Sequence, residues 1–141
     1  MINGYIPAAR FLPFLSWTDV AALPDKSNTV IVLPTGAIEQ HGPHLPCSVD
    51  SVISSGVAGH ALARLPATIP AYAIPPIVYG KSEEHLHFPG TLTLSGDTLL
   101  HTLLEIAESL YRAGFRKLLM INGHGGQPQI LQIACREMRL R

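Results

Sequence analysis

The sequence predicts an α/β fold, a mostly parallel sheet with helices on both faces, and three observations carry that reading. Along 141 residues, apolar runs of strand length alternate with helix-period runs in the order strand, helix, strand, helix, strand, helix. The strand runs are nearly continuous in apolar residues, as expected where both faces of a strand are buried. Hydrophobic residues make up 47% of the chain and charged residues only 14%, enough apolar material for a well-buried core and too much for disorder. The length suggests one domain or most of one.

Each element has its own signal. "NTVIVLPTG" (28–36) is the first strand, β-branched and ended by Pro34 and Gly36. Residues 37–50 form a loop containing Gly42, Pro43 and Pro46. Asp50 and Ser51 supply the cap of a helix over about 51–65, closed by Pro66. "AYAIPPIVYG" (71–80) is the second strand, placed at an edge or irregular position by Pro75 and Pro76. "KSEEHLHFPGTLTL" (81–94) is a long loop with a short extended tail. Ser95 or Asp97 caps the next helix, in which Leu99, Leu103, Ile106, Ala107 and Leu110 recur at helical spacing before Gly114 stops it. "FRKLLMI" (115–121) is the third strand, "NGHGG" a turn, and Pro128 sits early in a last helix.

Charge and cysteine content exclude several function classes. Ten basic and ten acidic side chains cancel, leaving no electrostatic footprint for nucleic acid and no polybasic patch for a membrane surface. Cys47 and Cys135 are too few for a disulfide framework. The N-terminal "MINGYIPAARFLPFLSW" is interrupted by Pro7 and Pro13 and lacks the basic start and clean apolar run of a signal peptide. No window approaches the roughly 20 apolar residues of a membrane span. A soluble, cytoplasmic protein is expected.

The polar chemistry is concentrated in three loops. "EQHGPH" (39–44) follows the first strand, "EEHLH" (83–87) the second and "NGHGG" (122–126) the third, and together they hold five of the seven histidines. In open parallel sheets, ligands bind outside the carboxyl ends of the strands. His60 and His101 fall on predicted helices, where a solvated or packed side chain is expected. Glu39, His41, Asp50 and His124 form a mixed oxygen and nitrogen set of the kind that holds zinc, manganese or iron at hydrolytic centres. A carboxylate such as Asp50 can bridge two cations roughly 3.5–4 Å apart. The same residues also fit loop polars satisfied by backbone, because E-x-H alone is a weak pattern. "NGHGG" has two readings: a phosphate cradle at a helix N-terminus, or a tight turn that projects His124 from the strand end. Gly123, Gly125 and Gly126 stand too close for G-x-G-x-x-G and no Walker lysine follows, which favours the second. A G-x-S-x-G nucleophile elbow is absent.

"LPTGAIEQHGPHLP" with Asp50 behind it, then "SEEHLHFPGTLTL", then "INGHGG" resemble the creatininase (creatinine amidohydrolase) family, with the motifs in the family's order from about Trp17 onward. The resemblance implies a three-layer α/β/α sandwich and a metal-dependent amidohydrolase that hydrolyses a C–N bond of a linear or cyclic amide through a metal-bound hydroxide. It further implies a small-molecule amide substrate and a homo-oligomer, commonly a hexamer. The implied cofactor is a divalent metal, zinc or manganese with iron as an alternative, two per complete site. Glu39, Asp50 and His124 would hold the first, and His41 with the bridging Asp50 the second. His44 is implied as an outer partner that orients a ligand. Glu84 or His85, on the implied substrate-side wall, is the expected catalytic group, while His87 fits a structural role equally. Nothing in the family pattern asks for Cys47.

Two departures qualify the resemblance. Family members are longer, so residues 1–141 are expected to be the N-terminal half of a creatininase-like domain, truncated before its H-A-G-E-x-E-T-like segment. In creatininase proper a glutamate two residues after the histidine completes the second metal's shell, and here that position is Gly126. The alternative expectation is therefore a catalytically inactive metal-binding or assembly module that needs a second chain to complete its site.

Overall fold

The computed structural model describes residues 2–140 and arranges them as the sequence pattern predicts. Its elements are α1 (Trp17–Ala22), β1 (Val30–Thr35), α2 (Val49–Arg64), β2 (Ala71–Ala73), α3 (Gly96–Arg112), β3 (Lys117–Asn122) and α4 (Pro128–Leu140). The strand pairings are parallel, in the order β2-β1-β3. β1 is central, which explains its apolar run: Ile31 and Leu33 are fully buried. Successive strand residues point to opposite faces. Val32 joins Ile6, Phe11, Ala58 and Leu62 under α2, whereas Leu33 joins Leu99, Leu103, Leu131 and Ala134 under α3 and α4. One helix on one face and two on the other make a three-layer α/β/α sandwich.

Local chemistry sets the element ends. Ser95 caps α3, its Oγ accepting from the Thr98 amide at 3.3 Å and satisfying one of the helix's orphan donors. Gly114 closes it at φ +103°, a conformation that disfavours a side chain. α2 begins earlier than expected, so that Asp50 lies inside its first turn and Ser48 takes the N-cap position. Asp50 is thus no cap, and its carboxylate is available to the loops. β2 covers Ala71–Ala73 rather than 71–80, because Pro75 and Pro76 have no N–H to offer the ladder. Pairing resumes only as a single bridge between Thr35 and Ile77. α1 lies in the proline-interrupted N-terminal stretch, its start held by a capping box of Ser16 and Asp19.

The start of α2 is pressed against the strand ends. A Cβ on Gly36 would lie 2.5 Å from the Ser51 Cα, and one on Gly123 would lie 2.5 Å from the Asp50 carbonyl oxygen. Only glycine admits backbone that close. Asp50 is thereby set between the ends of β1 and β3. Among the described residues, no helix is long and apolar enough to cross a membrane, and Cys47 and Cys135 are both free.

Candidate metal centre

Four side chains from three segments meet above the carboxyl ends of β1 and β3. Glu39 leaves the β1 loop, where its own amide donates to the Cys47 carbonyl at 3.0 Å and fixes the loop's return. Asp50 comes from the first turn of α2, where the helix dipole favours an anion. His124 follows β3. Glu39 and Asp50 are each 6% exposed and His124 only 3%, so these three are withdrawn from water, while His41 is partly exposed. Asp50 presents one oxygen to each histidine: Oδ1 lies 2.9 Å from His41 Nε2, and Oδ2 lies 2.9 Å from His124 Nδ1. Glu39 Oε1 lies 3.3 Å from the same His124 nitrogen. Ligand atoms of Glu39, His41 and Asp50 all fall within 4.8 Å of one another.

Hydrogen bonds assign the protons. His124 Nε2 faces the Lys81 carbonyl at 2.7 Å and the Ser82 hydroxyl at 3.3 Å. A carbonyl can only accept, so Nε2 carries a hydrogen, and Nδ1 is the nitrogen that faces the carboxylates. His41 hydrogen-bonds Asp50 Oδ1 through Nε2 at 2.9 Å, where the carboxylate can only accept, and its Nδ1 lies 3.2 Å from the Glu39 carbonyl. Among the described residues, Glu39 Oε2, Asp50 Oδ2 and His124 Nδ1 are buried with no hydrogen-bond partner. Nδ1 and Oδ2 are close, yet their directions do not form a hydrogen bond. Buried acceptors aimed at one another are costly without something positive between them. Two imidazoles and two carboxylates are a donor set that suits a divalent cation, and the residues present fit one.

The remaining expected residues divide sharply. His85 is half-buried at the rim, with Nε2 3.9 Å from Glu39 Oε1. Its Nδ1 lies 3.2 Å from Gln40 Nε2, and Gln40 Oε1 accepts from the Gly42 amide at 2.9 Å. That second bond orients the Gln40 amide, so its NH₂ donates to His85 Nδ1 and the neutral ring carries its hydrogen at Nε2, toward the site. Glu84 is exposed, and its carboxylate occupies the space a Cβ on Gly126 would take, on the Nε2 flank of His124. It lies outside the Glu39, His41 and Asp50 cluster.

His44 does not take the expected orienting role: it is exposed, with its ring beside Gly42. His87 is exposed and packs on Phe88 at a ring separation of 4.2 Å. The Cys47 sulfur lies next to Gly90. His60 and His101 are exposed on their helices, and His101 Nδ1 donates to the Asp97 carbonyl at 2.8 Å. Several contributors carried no signal in the sequence: Gln40, Ser82, Asn122, Gln127 and the Lys81 backbone. The Lys81 ammonium itself is drawn off to Glu83 at 3.0 Å, a hydrogen bond that raises its pKa above the usual lysine value.

The family model for creatininase, described as creatinine amidohydrolase, matches residues 13–141. The chain belongs to the creatininase family. It is 34% identical over 138 residues to the creatinine amidohydrolase of Pseudomonas putida, across 92% of this chain and 52% of that protein. It is 40% identical over 115 residues to the mycofactocin precursor peptide peptidase of Mycobacterium ulcerans, across 77% of this chain and 45% of that protein. A solved creatininase in its Mn form is similar with a TM-score of 0.78 at 33% identity, covering 93% of this chain and 53% of the other. A mutant creatininase of Zn–Zn type gives a TM-score of 0.77 at 34% identity, covering 92% and 52%. The chain spans about half the length of the curated relatives it matches.

Proposed function

We propose that the chain acts as a metal-dependent amidohydrolase, hydrolysing the C–N bond of a linear or cyclic small-molecule amide. The carrying observation is the convergence of Glu39, His41, Asp50 and His124 with buried acceptor atoms left bare. Glu39, Asp50 and His124 would hold the first divalent metal, and His41 with Asp50 the second. Zinc and manganese are the favoured ions, since solved creatininases of Zn–Zn type and in the Mn form share this fold. Once bound, such ions supply Lewis acidity that activates water and polarises a carbonyl.

The chain's own residues do the rest. Asp50 turns one oxygen to His41 and the other to His124, and the burial of Glu39 and His124 keeps competing water away from their ligand atoms. His85 turns its Nε2–H to the open side of Glu39, where it can donate a hydrogen bond to the substrate and orient it, the ring keeping its proton. Exposed Glu84 meets substrate at the rim. The relatives' names, one an amidohydrolase and one a peptidase, support amide chemistry as the reaction class. A cytoplasmic location and a homo-oligomer, a hexamer by family resemblance, belong to the same proposal. His124→Ala tests it: elemental analysis after reconstitution should show loss of the first metal, and undiminished content would refute the assignment.

One observation favours a second reading, a metal-binding assembly module that is inactive alone. β3 pairs with β1 on one side only, and Leu119 on it is 51% exposed. Such an edge accepts another strand. Amide hydrolysis by the chain alone supports the first reading. Activity that appears only after mixing with a polypeptide matching the relatives' other half supports the second.

A further inference from the structure

We infer that Gln127 is a positioning residue of the metal centre: its buried amide ties the three strand-end loops together and holds the backbone that sets the His124 tautomer. The inference deepens the metal-site reading above and rests on it. Gln127 lies just before α4 and is fully buried. Its Oε1 accepts from the Lys81 amide at 3.3 Å, and its Nε2 donates to the Gly36 carbonyl at 3.3 Å and to Asn122 Oδ1 at 3.0 Å. Gly36 follows β1, Lys81 lies in the loop after β2, and Asn122 ends β3. One side chain therefore reaches all three segments from which the site is built.

That amide supports both grips on His124, one directly through Asn122 and the other through the peptide that precedes the Lys81 carbonyl. Asn122 holds the histidine's backbone at two points, accepting from its amide at 3.2 Å and donating to its carbonyl at 2.7 Å. The Lys81 carbonyl holds the ring at Nε2. Lys81 is itself fixed on both sides: its own amide donates to Gln127, and the next amide, that of Ser82, donates to Thr93 Oγ1 at 2.8 Å. If the Gln127 bond is lost, the Gly80–Lys81 peptide is released and the Lys81 carbonyl, then held only through the Ser82–Thr93 bond, fixes the ring proton less tightly. A Cβ at Gly80 would come within 2.6 Å of Gln127 Oε1, so the pocket leaves little room for a water to replace the amide. An apolar side chain of equal size would fill the space and supply none of the three bonds.

The experiment reads the tautomer separately from the metal. In the metal-free 141-residue chain, at one alkaline pH, nitrogen NMR of His124 should show the hydrogen on Nε2. Gln127→Met should give a mixture of both tautomers, and its zinc affinity by competition with a chelator should fall about 10- to 100-fold, the usual cost of losing an outer-shell partner. Gln127→Glu retains the Lys81 bond, so it should keep the wild-type tautomer while its affinity falls about tenfold as the hold on Asn122 and Gly36 loosens. A Met variant with wild-type tautomer and affinity, altered only in melting temperature, overturns the inference. If the Met variant does not fold, undiminished zinc affinity in the Glu variant overturns it instead. Should the wild-type chain take up no zinc, the metal reading fails, whereas the tautomer comparison still decides what Gln127 does.

Discussion

The carboxyl ends of the strands and the outer flank of β3 solve the problem of burial in opposite ways. At the strand ends, polar groups dominate and are joined across loops, and Glu39 Oε2, Asp50 Oδ2 and His124 Nδ1 are buried there without hydrogen-bond partners. At the β3 flank the groups are apolar and lack cover. Leu119 pairs in register with Val32 and so faces the α2 side, where Ile53 and Val57 of α2 are also exposed. On the other face a cleft of about 480 Å³ is lined by Leu104, Leu110, Phe115, Leu118 and Met138. The site is organised by bonds within the chain, while the flank offers surface that only another element can cover. Metal binding and assembly should accordingly be separable by mutation.

The sharpest way to break that contrast is Asp50→Asn. Losing the shared carboxylate should abolish uptake at both positions in elemental analysis, while the metal-free fold is kept, because one of two neighbouring buried anions is gone. Retention of two ions would show that Asp50 does not bridge. Next in size, zinc at a hundredfold over its dissociation constant should stabilise the wild-type chain by about 2.7 kcal/mol in thermal denaturation, and the Asp50→Asn chain hardly at all. Gly123→Ala should cost roughly 1–3 kcal/mol by forcing the first turn of α2 away from the β3 end. Its metal affinity should drop with its melting temperature, and an independent response of the two would separate the helix from the site. The smallest effect is expected at the flank. Leu119→Lys should change stability by less than about 0.5 kcal/mol and leave metal content intact, yet lower self-association in sedimentation. Weaker metal binding in that variant would merge the two regions and end the comparison.

Much of the architecture was readable one segment at a time. The spacing of Leu99 and Leu103 marks α3, and the apolar run of β1 marks a strand buried on both faces, since each is a property of neighbours along the chain. The chemistry-bearing loops are legible for the same reason: Glu39, His41 and Asp50 gather within 4.8 Å, and His124 lies against Asp50. β2 was read too long because an apolar pattern continues across Pro75 and Pro76, whereas ladder bonds require an N–H that proline lacks. α1 carries only the Ser16 and Asp19 signature, and its six residues are too few to show a helical period.

Contacts between distant parts of the chain settled the remainder. His41 and His44 share one loop and one chemistry, and only the folded backbone, with Gly42 at φ +75° between them, decides that His41 meets Asp50 and His44 meets solvent. The proton position on His124 depends on a carbonyl 43 residues away, a group every residue carries and no side-chain pattern can announce. Gln127 looks like any polar residue beside a helix start until three loops close on it. Residue types and local periodicity are written along the chain. Which atom faces which is a three-dimensional relation, and folding alone establishes it.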